Sequence, residues 1–83
     1  LYLVYLIISE KNNRIKSYVG YTNDLKKRIN DHNNSKGAKS TRGRYWQIAF
    51  KKKFKTKSSA MKYEYFLKKN KRLRNKIKDN YVV

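Results

Sequence analysis

Two tyrosines, an arginine, a histidine and a glutamate are spaced along this chain as phosphate chemistry would need them: Tyr5, Tyr18, Arg28, His32 and Glu64. Glu64 is one of five acidic residues set against 23 Lys and Arg in a chain of 83. So basic a chain should bind polyphosphate, because each neutralised phosphate releases condensed counterions. Binding alone gains little from a carboxylate among cations. Phosphodiester hydrolysis does gain, since it needs a hard oxygen ligand for a divalent metal. Arg28 precedes His32 by one helical turn, so both project from one helix face. Tyr5 and Tyr18 fall on the two arms of a hairpin that turns near residues 11–12, and are expected across from each other on one face. Two phenols, a guanidinium and an imidazole then surround one hollow, and Glu64 can close it from a later helix.

The elements that must hold these groups follow from the pattern. Tyr2–Ile8 is β-branched and aromatic and reads as a buried strand. Glu10–Asn13 is a turn, and Ile15–Gly20 a second strand. A helix starts at Thr22-Asn23-Asp24, with Leu25, Ile29 and His32 along one face. Asn33–Gly37 ends it, and Ala38–Arg44 is a basic loop. Trp46–Phe54 alternates loosely through Trp46, Ile48 and Phe50 and reads as a third strand. Ser58 is the expected cap of a helix from Ser59 to about Lys69, on which Ala60, Tyr63, Glu64 and Leu67 share a face. Leu73 and Ile77 mark a last short helix. The expectation is an α+β fold in the order β-β-α-β-α-α, a three-stranded antiparallel sheet flanked by helices, forming a single domain over residues 1–83.

Composition narrows the function classes. A net charge of +18 points to nucleic acid. The chain has no Cys, which excludes disulfides and thiolate-held zinc, and its one His excludes His-rich metal sites. No apolar run approaches the roughly 20 residues of a membrane span, so no membrane partner is expected and the place of action reads as intracellular: cytoplasm or nucleoid, or a nucleus. The basic run after Lys68 reads as a solvated helix face compatible with non-specific phosphate contact.

Val4-Tyr5 followed by Tyr18-Val19-Gly20 resembles the signature of the GIY-YIG endonucleases, with Leu3-Val4-Tyr5 standing in place of Gly-Ile-Tyr. In that family an arginine lies ten residues beyond the second motif's tyrosine, as Arg28 lies beyond Tyr18. A glutamate follows the third strand on a helix, as Glu64 does. Lys36–Arg44, and Ala60–Glu64 with Lys68, are similar to the small single-domain branch, which includes structure-specific nuclease subunits and the N-terminal nuclease domain of the bacterial excision-repair incision protein. The resemblance covers nearly the whole chain. Many members place an asparagine after the glutamate; Asn70, Asn75 and Asn80 are candidates, and none is carried into the site.

The resemblance implies a divalent-metal-dependent DNA endonuclease, structure-specific or acting in repair or recombination, with one Mg²⁺ (or Mn²⁺) on Glu64. It implies Tyr5 as general base or water-orienting group, Tyr18 hydrogen-bonding Tyr5 or a phosphate oxygen, Arg28 gripping the scissile phosphate, and His32 relaying the Tyr5 proton or bonding the phosphate. A phenol is a poor base at its reference pKa of about 10, so Arg28 and the basic surround are expected to lower it. The glycine closing the second strand, Gly20, is expected to let a ligand approach the backbone. The following helix N-terminus is expected to offer N–H groups to an anion. Expected DNA contacts, chiefly to backbone phosphates, are Gly20, Lys36, Lys39, Thr41, Arg42, Arg44 and Lys68. No separate recognition domain is visible, which leaves specificity to a protein partner. The alternative is a non-catalytic basic nucleic-acid-binding module of the same fold, in which Lys36–Arg44 meets the backbone while Tyr45 and Trp46 stack on exposed bases.

Overall fold

The computed structural model describes residues 1–82, and side chains through Tyr81. Strands β1 (Tyr2–Lys11), β2 (Arg14–Thr22) and β3 (Gln47–Phe54) form an antiparallel sheet in the order β2-β1-β3. Helix α1 (Leu25–Asn33) follows β2, and α2 (Lys57–Lys69) and α3 (Lys71–Val82) follow β3. The expected order and fold class are those observed. The hairpin arms run further than the expected strands, to a two-residue turn at Asn12-Asn13, where both residues have positive φ (56° and 62°). Asparagine tolerates that region, and a turn of this hand matches the twist of paired strands.

Register then sorts β1 by parity. Val4, Leu6 and Ile8 face one way and join Val19, Ala60 and Leu67 in a core that α2 covers, with Leu73 and Ile77 of α3 packed at its margin. Tyr5 and Ile7 face the other way and join Trp46, with Tyr18, Leu25 and Ile29 against them. A bulge between Leu6 and Ile7, which pair with Phe50 and Ile48, breaks the alternation of β3. That irregularity is why Trp46 and Phe50, expected on one face, serve opposite faces.

The caps differ from expectation in instructive ways. Thr56, not Ser58, caps α2 by accepting from the Ser59 N–H. Asp24 caps α1 by accepting from the Lys27 N–H. Its carboxylate occupies the helix N-terminus, so the expected anion seat there is already filled by the chain itself. Asn70 accepts from the Leu73 N–H at the start of α3, a capping bond that explains this asparagine without the site.

Candidate active site

His32 is the hub. It sits in the last turn of α1 and is fully buried. Its Nε2 lies 2.9 Å from the Tyr5 hydroxyl and its Nδ1 lies 2.9 Å from the Thr41 Oγ1. The Thr41 hydroxyl donates its only proton to the Ala38 carbonyl, at 2.7 Å. It must therefore accept from His32, which fixes the proton on Nδ1 and leaves Nε2 as an acceptor. The Tyr5 hydroxyl in turn donates to Nε2. Arg28 completes the chain by donating from Nε to the Tyr5 oxygen at 3.4 Å. The result is one directed line of groups: Arg28, Tyr5, His32, Thr41, Ala38.

Electrostatics agrees with that tautomer. Burial, and then the Arg28 charge, hold the His32 pKa below its usual value, so the ring is neutral at pH 7. Tyr5 departs from expectation. Its pKa is pushed up to about 12, chiefly by burial, which outweighs the lowering by the Arg28 hydrogen bond and charge. The phenol is thus protonated at neutral pH and donates to the neutral imidazole beside it. The Arg28 pKa is raised, first by its hydrogen bond to Tyr5.

Tyr5 and Tyr18 share a face, but diagonally. Tyr5 pairs with Gly20 and Tyr18 with Ile7, because the turn falls at residues 12–13. Their ring centroids are 6.5 Å apart, and the Tyr18 ring packs against His32 at 5.1 Å. The Tyr5 hydroxyl spends its bonds on His32 and Arg28 rather than on Tyr18.

Gly20 proves to be a structural necessity. It is buried, and a Cβ there would lie 2.6 Å from the Tyr5 Cζ. The missing side chain makes room for the Tyr5 ring, not for DNA. Gly37 does the same for the imidazole: a Cβ there would lie 2.9 Å from the His32 Cε1. The sequence pattern marked Gly37 only as the end of a helix, and nothing in its spacing signals this contact.

Four further expectations change. Thr41 is fully buried and holds His32, so it is a positioning residue and not a DNA contact. Trp46 is buried against Tyr5 and Ile7 and cannot stack on a base. Its indole donates to the Thr41 carbonyl, and its backbone is clamped by the Asn33 side chain, which accepts from the Trp46 N–H and donates to the Trp46 carbonyl. These bonds tie the 38–46 segment down over His32; Asn33 was read only as a helix stop. Arg44 is half-buried and donates to the Ser9 carbonyl. Lys36, Lys39 and Arg42 are exposed, as is Tyr45, at 69%.

Glu64 arrives from α2, which packs on the other face of the sheet, yet its negative charge contributes to raising the Tyr5 pKa. Its side chain is 19% exposed, and its carboxylate pairs with Lys68 at 3.8 Å. Among the described residues no three His, Cys, Asp or Glu side chains group as a metal cage. A lone, partly shielded carboxylate suits an ion that draws its other ligands from water and phosphate, as Mg²⁺ does. A shallow basin of about 360 Å³ beside Arg28 is lined by Tyr2, Tyr21, Thr22, Asn23 and Lys57.

Residues 1–78 match the model of the GIY-YIG catalytic domain. The chain belongs to the GIY-YIG family. That family is a nuclease family. The GIY-YIG chain is 47% identical over 66 residues to the UPF0213 protein YazA of Bacillus subtilis, covering 78% of this chain and 64% of that protein. It is 46% identical over 70 residues to a UPF0213 protein of Vibrio campbellii, covering 78% and 61%. It is 40% identical over 68 residues to an uncharacterized protein, L300, of Acanthamoeba polyphaga mimivirus, covering 76% and 40%. The chain thus spans less than two thirds of the length of these relatives. No solved structure gives a significant match. No helix among the described residues is long and apolar enough to cross a membrane.

Proposed function

We propose that this domain is a divalent-metal-dependent DNA endonuclease that hydrolyses phosphodiester bonds, and that it acts in repair or recombination. The observation that carries the reading is the directed hydrogen-bond line from Arg28 through Tyr5 to a neutral His32 whose other nitrogen is locked by Thr41. A merely structural tyrosine needs no guanidinium on its oxygen, and a binding module needs no buried imidazole held in one tautomer.

In the proposed step a water attacks phosphorus and a P–O bond forms as the bond to the leaving oxygen breaks. The water proton passes to the Tyr5 oxygen while the Tyr5 proton moves to His32 Nε2. The imidazolium so formed keeps its Nδ1–H on Thr41, and the leaving oxygen takes a proton from solvent. Arg28 faces the phosphate and steadies the Tyr5 oxygen as charge builds. Glu64 would hold one Mg²⁺ or Mn²⁺, which supplies charge neutralisation at the phosphate. Lys36, Lys39 and Arg42 are the loop cations proposed to meet the DNA backbone, and a protein partner supplies specificity that so small a domain lacks.

The test is cleavage of a panel of duplex, flap, fork, four-way junction and single-stranded DNA with and without Mg²⁺. Metal-dependent cutting by the wild type, abolished in Glu64→Ala with DNA binding retained, is the expected result. Binding without cutting across the whole panel would instead establish the non-catalytic module.

A further inference from the structure

The three consecutive lysines of β3 do not do the same thing. Lys51 pairs with Tyr5, Lys52 with Val4 and Lys53 with Leu3. Directly opposed residues share a sheet face, so Lys51 and Lys53 stand on the face that carries Tyr5. Lys52 stands on the other, over the core beneath α2. Its Nζ lies 4.9 Å from the Tyr63 ring centroid and 5.8 Å from that of Phe54, both partly buried, so it is already engaged in cation–π contacts. Lys51 and Lys53 are exposed. The salt bridges among the described residues are Lys27–Asp31 and Lys68–Glu64, which leaves both of these ammonium groups without an acidic partner.

From this alternation we infer that Lys51 and Lys53 form a rail for the DNA backbone that flanks the scissile phosphate, and that Lys52 takes no part in it. The inference rests on the nuclease reading of the same site. The Tyr5 ring leans over Gly20 of β2, on the side of β1 away from β3. Lys51 is then two strand spacings from Gly20, about 9.6 Å between backbones. At that offset its ammonium addresses a phosphate beside the one under attack. Lys51 and Lys53 are two residues apart, about 6.8 Å along the strand, so together they meet successive charges of one backbone. Both are positioning residues. An edge strand is also where lysines guard against pairing with another chain, but that service would be met by either face, and the contact to Tyr63 on one side alone would be unneeded.

The measurement is the affinity of full-length protein for a duplex as salt is varied, with turnover read in parallel. Each lost phosphate contact lowers the slope of log K against log salt by about 0.9. The double variant Lys51→Gln/Lys53→Gln should lower it by about 1.8 and raise KM while kcat holds. Lys52→Gln should leave the slope at the wild-type value. An unchanged slope in the double variant, or an equal loss in Lys52→Gln, overturns the rail. Wild-type protein with no salt-dependent binding would overturn the nuclease reading itself, and the rail with it.

Discussion

The two faces of the sheet are built from the same strand by opposite means. Beneath α2, alternate residues of β1 meet aliphatic side chains, and Val4, Leu6 and Leu67 are sealed from solvent with no polar group among them. Beneath α1, Tyr5 from the alternate positions brings a buried hydroxyl to the buried imidazole of His32 and the buried hydroxyl of Thr41, each satisfied by the next. The first face gains stability from area removed from water, which is non-directional and tolerant. The second places polar groups where each depends on its neighbour, since an unpartnered buried polar atom costs about 1–3 kcal/mol. The lesson is a division at single-residue spacing: one face of β1 is held by apolar burial, the other by a line of polar groups that satisfy one another.

Substitutions can test that division. The largest effect on cutting short of Glu64→Ala should come from Tyr5→Phe, which keeps the ring and removes the hydroxyl that links Arg28 to His32. Cleavage by the folded protein should fall by about 10²- to 10⁴-fold, beyond the about 1–3 kcal/mol of stability lost when the buried His32 Nε2 is left without its donor; wild-type rates would discard Tyr5 as the proton-transfer group. On the opposite face, Leu67→Ala should cost about 2–5 kcal/mol of stability, measured by denaturant unfolding, while the turnover of the folded fraction stays near wild type. A loss of turnover there as deep as that of Tyr5→Phe would dissolve the distinction between the faces.

Thr41→Val separates positioning from contact. It removes the acceptor for the His32 Nδ1–H, should cost about 1–3 kcal/mol, and should slow cleavage, whereas Thr41→Ser should restore both. A DNA-contact role would lower affinity instead, which a binding isotherm detects.

The smallest signal is in pH. His32 titrates below its ordinary 6.5, so the ring stays neutral as pH falls to that value. Between 6.5 and the folded pKa the unfolded chain binds the proton more readily, so stability declines as pH drops through that window. Tyr5 has the opposite sign: its contribution is complete below the reference value of 10.0 and fades as pH rises toward about 12. NMR titration of the imidazole in Arg28→Gln should show its pKa moving up, since the nearby positive charge is gone; a fixed value would remove Arg28 as a cause.

Much of the site was legible because it is periodic. Arg28 and His32 sit four apart on a helix, so their shared face follows from the helical repeat alone. Tyr5 and Tyr18 lie on hairpin arms, and period two put them on a common face, although a turn at Asn12-Asn13 made the pairing diagonal. Thr41 was legible only as a loop polar residue, and its basic neighbours drew it into a presumed DNA contact. Whether a threonine in a loop faces water or an imidazole depends on how the loop closes, and here Trp46 and Asn33 close it through bonds that no local pattern encodes.

What the amino-acid string determined alone is the local order: which segments pair, which coil, and where charge accumulates. Those properties arise from neighbours a few residues apart. The tertiary structure alone decided that Gly20 and Gly37 are cut to fit Tyr5 and His32, that burial raises the Tyr5 pKa where Arg28 was expected to lower it, and that Lys52 parts company with Lys51 and Lys53. Each of these depends on burial and on groups brought close from distant positions, and desolvation and steric fit exist only once the chain has folded.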